Sequence, residues 1–308
     1  MTDTKADRRL VWALTRSMLE ADNYKHLRYG KKQKSRWSLF NALISLFGVC
    51  LKTVRLYPKG YRNATRMVVN RERIHFNDLP APFHGYTLLH LTDTHTDFIP
   101  GYENVICEGI LNLSYDACVM TGDYRANISG SIKDTMQGMR KITSTIRARD
   151  GIFATLGNHD TYRMAEPLEK LGITVLANES IGIDRGSGRI QLTGIDDPYY
   201  YYTDQALTAL EETGNGFKIA LVHTPSLYDI AAENKYRLYL CGHTHGGQIC
   251  LPGGYPLILH LRHGRKYYRG LWRYKGMTGF TSQGCGTIGI PIRFNTASEA
   301  TLITLLKG

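Results

Sequence analysis

Five short apolar runs, each ending abruptly in an acid, an amide or an imidazole, constrain this chain more than anything else in it. Leu88-Leu89-His90-Leu91 precedes Asp93 and His95, and Ala117-Cys118-Val119-Met120 precedes Asp123. Ile152 to Leu156 precedes Asn158, Phe217 to Val222 precedes His223, and Tyr236 to Leu240 precedes His243 and His245. Continuous apolar runs of this length read as strands buried on both faces, which require other layers on either side. In layered α/β proteins, ligands collect at the carboxyl ends of such strands. The polar residues at these five ends therefore read as one site. Gly242, Gly246 and Gly247 around the last histidine pair let the backbone approach whatever is bound there.

Between the runs the pattern turns helical. Helices are expected over 102–113, 132–149, 164–171, 204–212 and 227–234, with further strands at 174–176 and 189–194. An opening strand is expected within 57–82, around Met67-Val68-Val69 and Ile74. Strand–helix alternation followed by a more β-rich end argues for two sheets with helices outside.

The motifs at the strand ends are D-x-H (Asp93, His95), G-D (Gly122-Asp123), G-N-H-D (Gly157-Asn158-His159-Asp160), H-x-P (His223, Pro225) and G-H-x-H (Gly242, His243, His245). In order and context this series resembles that of the calcineurin-like metallophosphoesterases. The likeness runs from about Tyr86 to about Leu306. Its tail, Gly279 to Thr287 and then Pro291-Ile292-Arg293, is similar to a branch of small, often membrane-anchored bacterial phosphodiesterases and UDP-2,3-diacylglucosamine pyrophosphatases of lipid A biosynthesis.

The resemblance implies an α/β fold, a four-layer α/β/β/α sandwich. It also implies two divalent ions, manganese foremost, with iron or zinc as alternatives. Asp93, His95, Asp123 and His245 would hold the first ion, and Asp123, Asn158, His223 and His243 the second. A hydroxide bridging the ions would attack phosphorus, with His159 as general acid. Asp160 is expected to orient an imidazole. Carboxylate, amide and imidazole donors suit such ions, and the lack of cysteine among them argues against a closed structural zinc site.

The chain departs from the family at one point. In the protein-phosphatase branch a further acid follows the G-D motif by three residues and pairs with the protonating histidine. Here Asp123 is followed by Tyr124, Arg125 and Ala126. That leaves the partner of His159 open and weakens a protein-phosphatase reading. Arg125 is expected either to bind a substrate phosphate with its planar fork or to pair with Asp97.

Charge sets the first quarter apart. Residues 1–75 carry 17 Lys and Arg against 5 Asp and Glu, which exceeds the whole chain's net +11 and leaves the remainder close to neutral. Asp7 to Asp22 has helical spacing, and the basic run Lys31 to Arg36 follows. Trp37 to Leu51 contains no charged residue. As a helix that stretch is about 22 Å long, short of the roughly 30 Å hydrocarbon core. The long leader before it and the lack of an A-x-A site argue against a signal peptide. A basic run beside an apolar helix edged by tryptophan fits an interfacial membrane anchor, with a helix packed on the domain as the alternative. The chain therefore divides into a basic extension over 1–59, expected to be separable, and a hydrolytic region over 60–308.

Tyr199 to Tyr202 could stack on a nucleobase, line an acyl groove or pack as a loop. Leu257 to Tyr268 reads as a strand-loop with arginine and lysine available to phosphate. His260 and His263 within it carry no motif. Six cysteines without a C-x-x-C spacing read as reduced thiols. The leading expectation is a dimetal phosphoesterase acting on a lipid-linked phosphodiester or pyrophosphate, such as UDP-2,3-diacylglucosamine, at the cytoplasmic face of a membrane. The alternative is a soluble phosphodiesterase for nucleotides or nucleic acid, although no specific nucleic-acid motif accompanies the basic residues. A catalytically idle scaffold would have no physical need of the full ligand set.

Overall fold

The computed structural model describes the backbone of residues 5–29, 31–212 and 214–308. The side chains at 24–38, 40 and 41 lie outside the described residues, and with them the side chains of the basic run Lys31 to Arg36 and of Trp37.

Three helices precede the first strand: α1 (Lys5–Tyr29), α2 (Lys31–Thr53) and α3 (Tyr57–Thr65). The strands of the first half are β1 (Met67–Phe76), β2 (Tyr86–Leu91), β3 (Ala117–Met120), β4 (Ile152–Ala154) and β5 (Ile173–Val175). Helices α4 (Tyr102–Ile110), α5 (Lys133–Thr145) and α6 (Ala165–Glu169) connect them. In the second half come β6 (Glu179–Arg185), β7 (Gly188–Ile195), β8 (Phe217–Val222), β9 (Leu238–Cys241), β10 (Gly270–Tyr274), β11 (Met277–Thr281) and β12 (Ser298–Lys307), with α7 (Asp204–Glu211) and α8 (Tyr228–Glu233) between them.

Two six-stranded sheets result, one ordered β1-β12-β2-β3-β4-β5 and the other β10-β11-β9-β8-β7-β6. Strands β2 to β5 run parallel, as do β7, β8, β9 and β11. Side-chain alternation explains the layering. Leu88, Val119 and Phe153 face Ile219, Leu221, Leu240 and Phe280 across the space between the sheets. Leu89, Leu91, Cys118 and Met120 face the other way, beneath α4, α5, α6 and Trp12 of α1. Ala220, Val222, Tyr239 and Cys241 pack beneath α7 and α8. The protein is a four-layer α/β/β/α sandwich. Each fully buried Leu, Ile or Phe stabilises it by roughly 1.5–3 kcal/mol.

The C-terminal strand β12 is central: it lies parallel to β1 and antiparallel to β2. Ala300 and Leu302 serve one core while Ile303 and Leu305 serve the other. The stretch 257–268, read as a strand-loop, forms no strand. Leu257 and Ile258 face solvent, and only the turn Arg265–Tyr267 is regular. All six cysteines are free.

Helices α1 and α2 each pack one face inward. Trp12 and Arg16 of α1 are buried, whereas Leu10, Leu14 and Met18 on its opposite face are each more than half exposed. On α2, Gly48 and Leu51 are buried beside the partly covered Ile44 and Phe47. Leu39, Leu43, Leu46 and Val49 project to the other side, each more than half exposed. Among the described residues, no helix is long and apolar enough to cross a membrane.

His90 of β2 is fully buried, with Nε2 2.8 Å from Thr121 Oγ1. Burial holds its pKa down to about 3. The unfolded chain therefore takes up a proton below pH 6.5 that the folded chain refuses. The associated stability is complete above that pH and is lost as pH falls towards 3. His90→Leu should flatten the acid limb of the stability profile, removing roughly 2 kcal/mol of the loss between pH 6.5 and 5. Denaturant titrations of both proteins across that range would show it, and equal slopes would contradict it.

Candidate metal centre

Beyond the ends of β2, β3 and β9 the chain turns sharply. Asp93 (φ 51), His95 (φ 40), Asp123 (φ 56), His243 (φ 71) and His245 (φ 50) all lie on left-handed backbone. Each such residue costs on the order of 1 kcal/mol or more, and persists only where its surroundings fix it. Glycines leave room for the crowding. A Cβ on Gly157 would collide with the Asp123 carboxylate, and one on Gly242 with that of Asp93.

The strand-end side chains converge. Asp93, His95 and His245 form one buried group and Asp123, His223 and His243 another, the donor atoms within each lying within 4.8 Å of one another. His95 Nε2 and His245 Nε2 stand 3.2 Å apart, with rings stacked, and His245 Nε2 is 3.4 Å from Asp93 Oδ1. Asn158 Oδ1 joins the second group, 3.0 Å from His223 Nε2 and 2.8 Å from His243 Nδ1. Asp123 Oδ2 lies between the groups, 3.3 Å from His223 Nε2 and 4.0 Å from His95 Nε2.

Backbone carbonyls set which nitrogen faces inward. His95 Nδ1 donates to Arg125 O (2.8 Å), His223 Nδ1 to Thr121 O (2.7 Å) and His243 Nε2 to His260 O (2.9 Å). The opposite nitrogens turn towards the carboxylates and the amide. Burial lowers the pKa of His95 to about 4 and of His243 to about 3, and lowers that of His245 as well, so these rings are neutral. Burial also raises Asp93 to about 6. It opposes the charged forms of Asp123 and His223 too, but their mutual attraction outweighs it. Asp123 is held well below the usual carboxylate range and His223 is pushed up to about 10. His243 Nδ1, which carries no hydrogen because Nε2 donates to His260 O, meets the Asn158 amide oxygen lone pair to lone pair at 2.8 Å, and such a contact repels unless a cation lies close by. The donor set therefore fits two divalent cations.

His159 stands at the rim. Its Nδ1 donates to Ala126 O (2.6 Å), and its Nε2 is 4.0 Å from Asp123 Oδ2. The partner absent from the G-D motif is thus a backbone carbonyl. Asp160 differs from expectation: among the described residues its carboxylate bonds to no imidazole. Its carboxylate accepts the backbone N–H groups of Asp123 (2.8 Å), Tyr124 (2.9 Å) and Gly157 (2.8 Å), tying the β3 and β4 loops together. Arg125 is also corrected. It is buried, its Nε donates to Asn127 O, and it offers almost no surface to a substrate. Nor does it pair with Asp97, which instead accepts the N–H of Ala126 at 2.6 Å.

Other residues at the site lie outside the five strand-end motifs. His260, passed over in the sequence, fixes His243 through its carbonyl, and its ring lies 5.5 Å from that of Tyr199. Tyr199 packs 5.0 Å from the His243 ring beneath the Arg262 guanidinium, and Tyr201 donates to Asn158 O. Arg293 is buried and gives hydrogen bonds to the carbonyls of His245 (3.0 Å), Gln283 (2.7 Å) and Gly286 (2.7 Å). Arg16 of α1 reaches the carbonyls of Gly157 and Asp160, each at 2.9 Å. Trp12, Arg16 and Glu20 recur every fourth residue. That single-face spacing was the one sequence signal for this helix contact.

Residues 86–247, more than half of the chain, match the calcineurin-like phosphoesterase family, and the chain belongs to it. It is a metal-dependent phosphoesterase, a hydrolase. Among its relatives, the metallophosphoesterase YkoQ of Bacillus subtilis (strain 168) is 28% identical over 85% of this chain and 98% of its own. The metallophosphoesterase YkuE of the same organism is 29% identical over 74% of this chain and 81% of its own. Phosphodiesterase YaeI of Escherichia coli (strain K12) is 27% identical over 75% and 85% respectively.

Because an added methyl at Gly157 must displace Asp123, Gly157→Ala should weaken binding of both ions by at least about tenfold while leaving the sandwich folded. Manganese titration followed by calorimetry, with circular dichroism as the folding control, would check this.

Proposed function

We propose that this hydrolase acts on a lipid-linked phosphodiester or pyrophosphate, of which UDP-2,3-diacylglucosamine is one example, at the cytoplasmic face of a membrane. Asp93, His95, Asp123 and His245 would hold one ion, and Asp123, Asn158, His223 and His243 the other, manganese being the first candidate. Bound there, the ions would supply an activated water and neutralise charge developing at phosphorus. His159 keeps Nδ1 on the Ala126 carbonyl and, when protonated, offers its Nε2 proton to the leaving oxygen.

The outer face of α2 carries the reading. Leu39, Leu43, Leu46 and Val49 form an exposed apolar row on a helix whose other face packs against the domain. Such a row in water marks a contact surface. Leu10, Leu14 and Met18 on α1 are exposed as well, and Leu257 and Ile258 project from the loop whose His260 carbonyl holds His243. Basic residues concentrate in the same first quarter of the chain, each worth about 1 kcal/mol against an anionic leaflet. On this reading, residues 1–59 make the surface contact and the hydrolytic residues lie in 60–308. The alternative, a soluble phosphodiesterase for nucleotides, draws on Tyr199 and Arg262 beside His243, an aromatic–cation pair able to take a base or a phosphate.

The test compares a small chromogenic phosphodiester with a nucleotide–lipid pyrophosphate in anionic vesicles. Leu39→Ser/Leu43→Ser/Leu46→Ser should lower vesicle recovery and lipid turnover by roughly tenfold or more and spare the small diester. Unchanged lipid turnover would move the assignment to soluble nucleotides. Asn158→Ala or His243→Ala should leave one ion per chain and cut turnover of both substrates by several orders of magnitude. Normal metal content in either variant would refute the second ligand set.

A further inference from the structure

Helix α1 lies outside the stretch that matches the family, yet it enters the site. Arg16 is almost fully buried. Its Nη2 donates to Gly157 O and Asp160 O, each at 2.9 Å, so the fork grips both carbonyls flanking Asn158 and His159. Its Nη1 pairs with Asp196, and its Nε donates to Glu20 at 3.0 Å. Trp12 Nε1 gives a second hydrogen bond to Asp196, at 2.8 Å. The guanidinium lies 3.3 Å above the Tyr201 ring, and the Tyr201 hydroxyl donates to the carbonyl of Asn158 at 3.3 Å. Glu20 continues the contact by accepting from Thr161 Oγ1 (2.7 Å) and Tyr162 N (2.8 Å).

This network orders a loop whose side chains do the chemistry. Asn158 Oδ1 faces His223 and His243, and the His159 N–H donates to Asp123 Oδ1 at 2.8 Å. On the far side of the centre Arg293 plays the matching part, gripping the carbonyls of His245, Gln283 and Gly286 around the first group. One buried guanidinium thus stands behind each half of the centre, and each comes from outside the strands that bear the ligands.

We propose that Arg16 is a positioning residue for the second metal position and Arg293 one for the first, so that α1 is part of the hydrolytic unit as well as of the surface contact. The assignment rests on the two-ion reading. Lysine cannot replace Arg16. Its point charge has three donors at a single atom, whereas four planar donors are engaged here in fixed directions. The same fork explains why the site needs an N-terminal helix at all, since neither sheet supplies a donor to these carbonyls among the described residues.

The experiment measures stepwise manganese binding to the full chain by calorimetry, with paramagnetic resonance to separate coupled pairs from single ions. Asn158→Ala and His95→Ala mark which step belongs to which group. Arg16→Lys should weaken the second step about tenfold to a hundredfold, leave the first unchanged, and convert the coupled signal to a mononuclear one. Arg16→Gln/Asp196→Asn, which removes the Arg16 charge together with that of its buried partner Asp196, should do the same and covers the case in which Arg16→Lys fails to fold. Arg293→Lys should weaken the first step instead. Two ions bound with unchanged affinities in both Arg16 variants would overturn the proposal. So would equal weakening of both steps alongside a lowered melting temperature, the signature of a merely structural part. A single ion bound by the wild type would overturn the two-ion reading itself, and the proposal with it.

Discussion

One carboxylate holds the arrangement together. Asp123 Oδ1 accepts the backbone N–H of His159, Oδ2 faces His223, His95 and His159, and its own N–H donates to Asp160. It sits on left-handed backbone between glycines that leave it no spare room. Through this residue the ends of β3 and β4 meet each other and meet a histidine from the opposite sheet. Taken out of water among neutral imidazoles, its charge is costly unless opposite charge lies close by. His223, 3.3 Å away, and the cations these residues would hold answer that requirement.

The sandwich exists, for this purpose, to aim strands. Parallel β2, β3 and β4 in one sheet and β8 and β9 in the other bring their carboxyl ends to one edge of a shared apolar core. Packing at interior density lets little slip, so five loops that are distant in sequence keep donor atoms within ångströms. The C-terminal strand joins β1, which has no other partner in the sheet, to β2, and Arg293 just before it secures the turn of His245.

The N-terminal helices complicate a simple division into anchor and enzyme. Among the described residues, each exposes leucines on its outer side, Leu10 and Leu14 on α1 and Leu39, Leu43 and Leu46 on α2. The inner face of α1 carries Trp12, Arg16 and Glu20 into hydrogen bonds with the loops at 157–162 and 196. A helix that touches solvent with leucine and the active-site loop with arginine couples two environments through one rigid rod.

Read alone, the chain determined the strand runs, the ligand types at their ends and the helical spacing around them, because burial on both faces leaves an unbroken apolar signature. It determined the concentration of positive charge as well. Only the tertiary structure decided what the motifs do not encode. It gave His159 the Ala126 carbonyl as the partner the sequence had left open, turned Asp160 towards backbone amides, buried Arg125, and brought His260, Arg293 and Arg16 to the centre. These contacts run through backbone carbonyls and long-range loop approach, which any residue can provide. Apart from the spacing of Trp12, Arg16 and Glu20 on α1, no side-chain pattern announces them, and they are settled only when two sheets and a helix close on the same few ångströms.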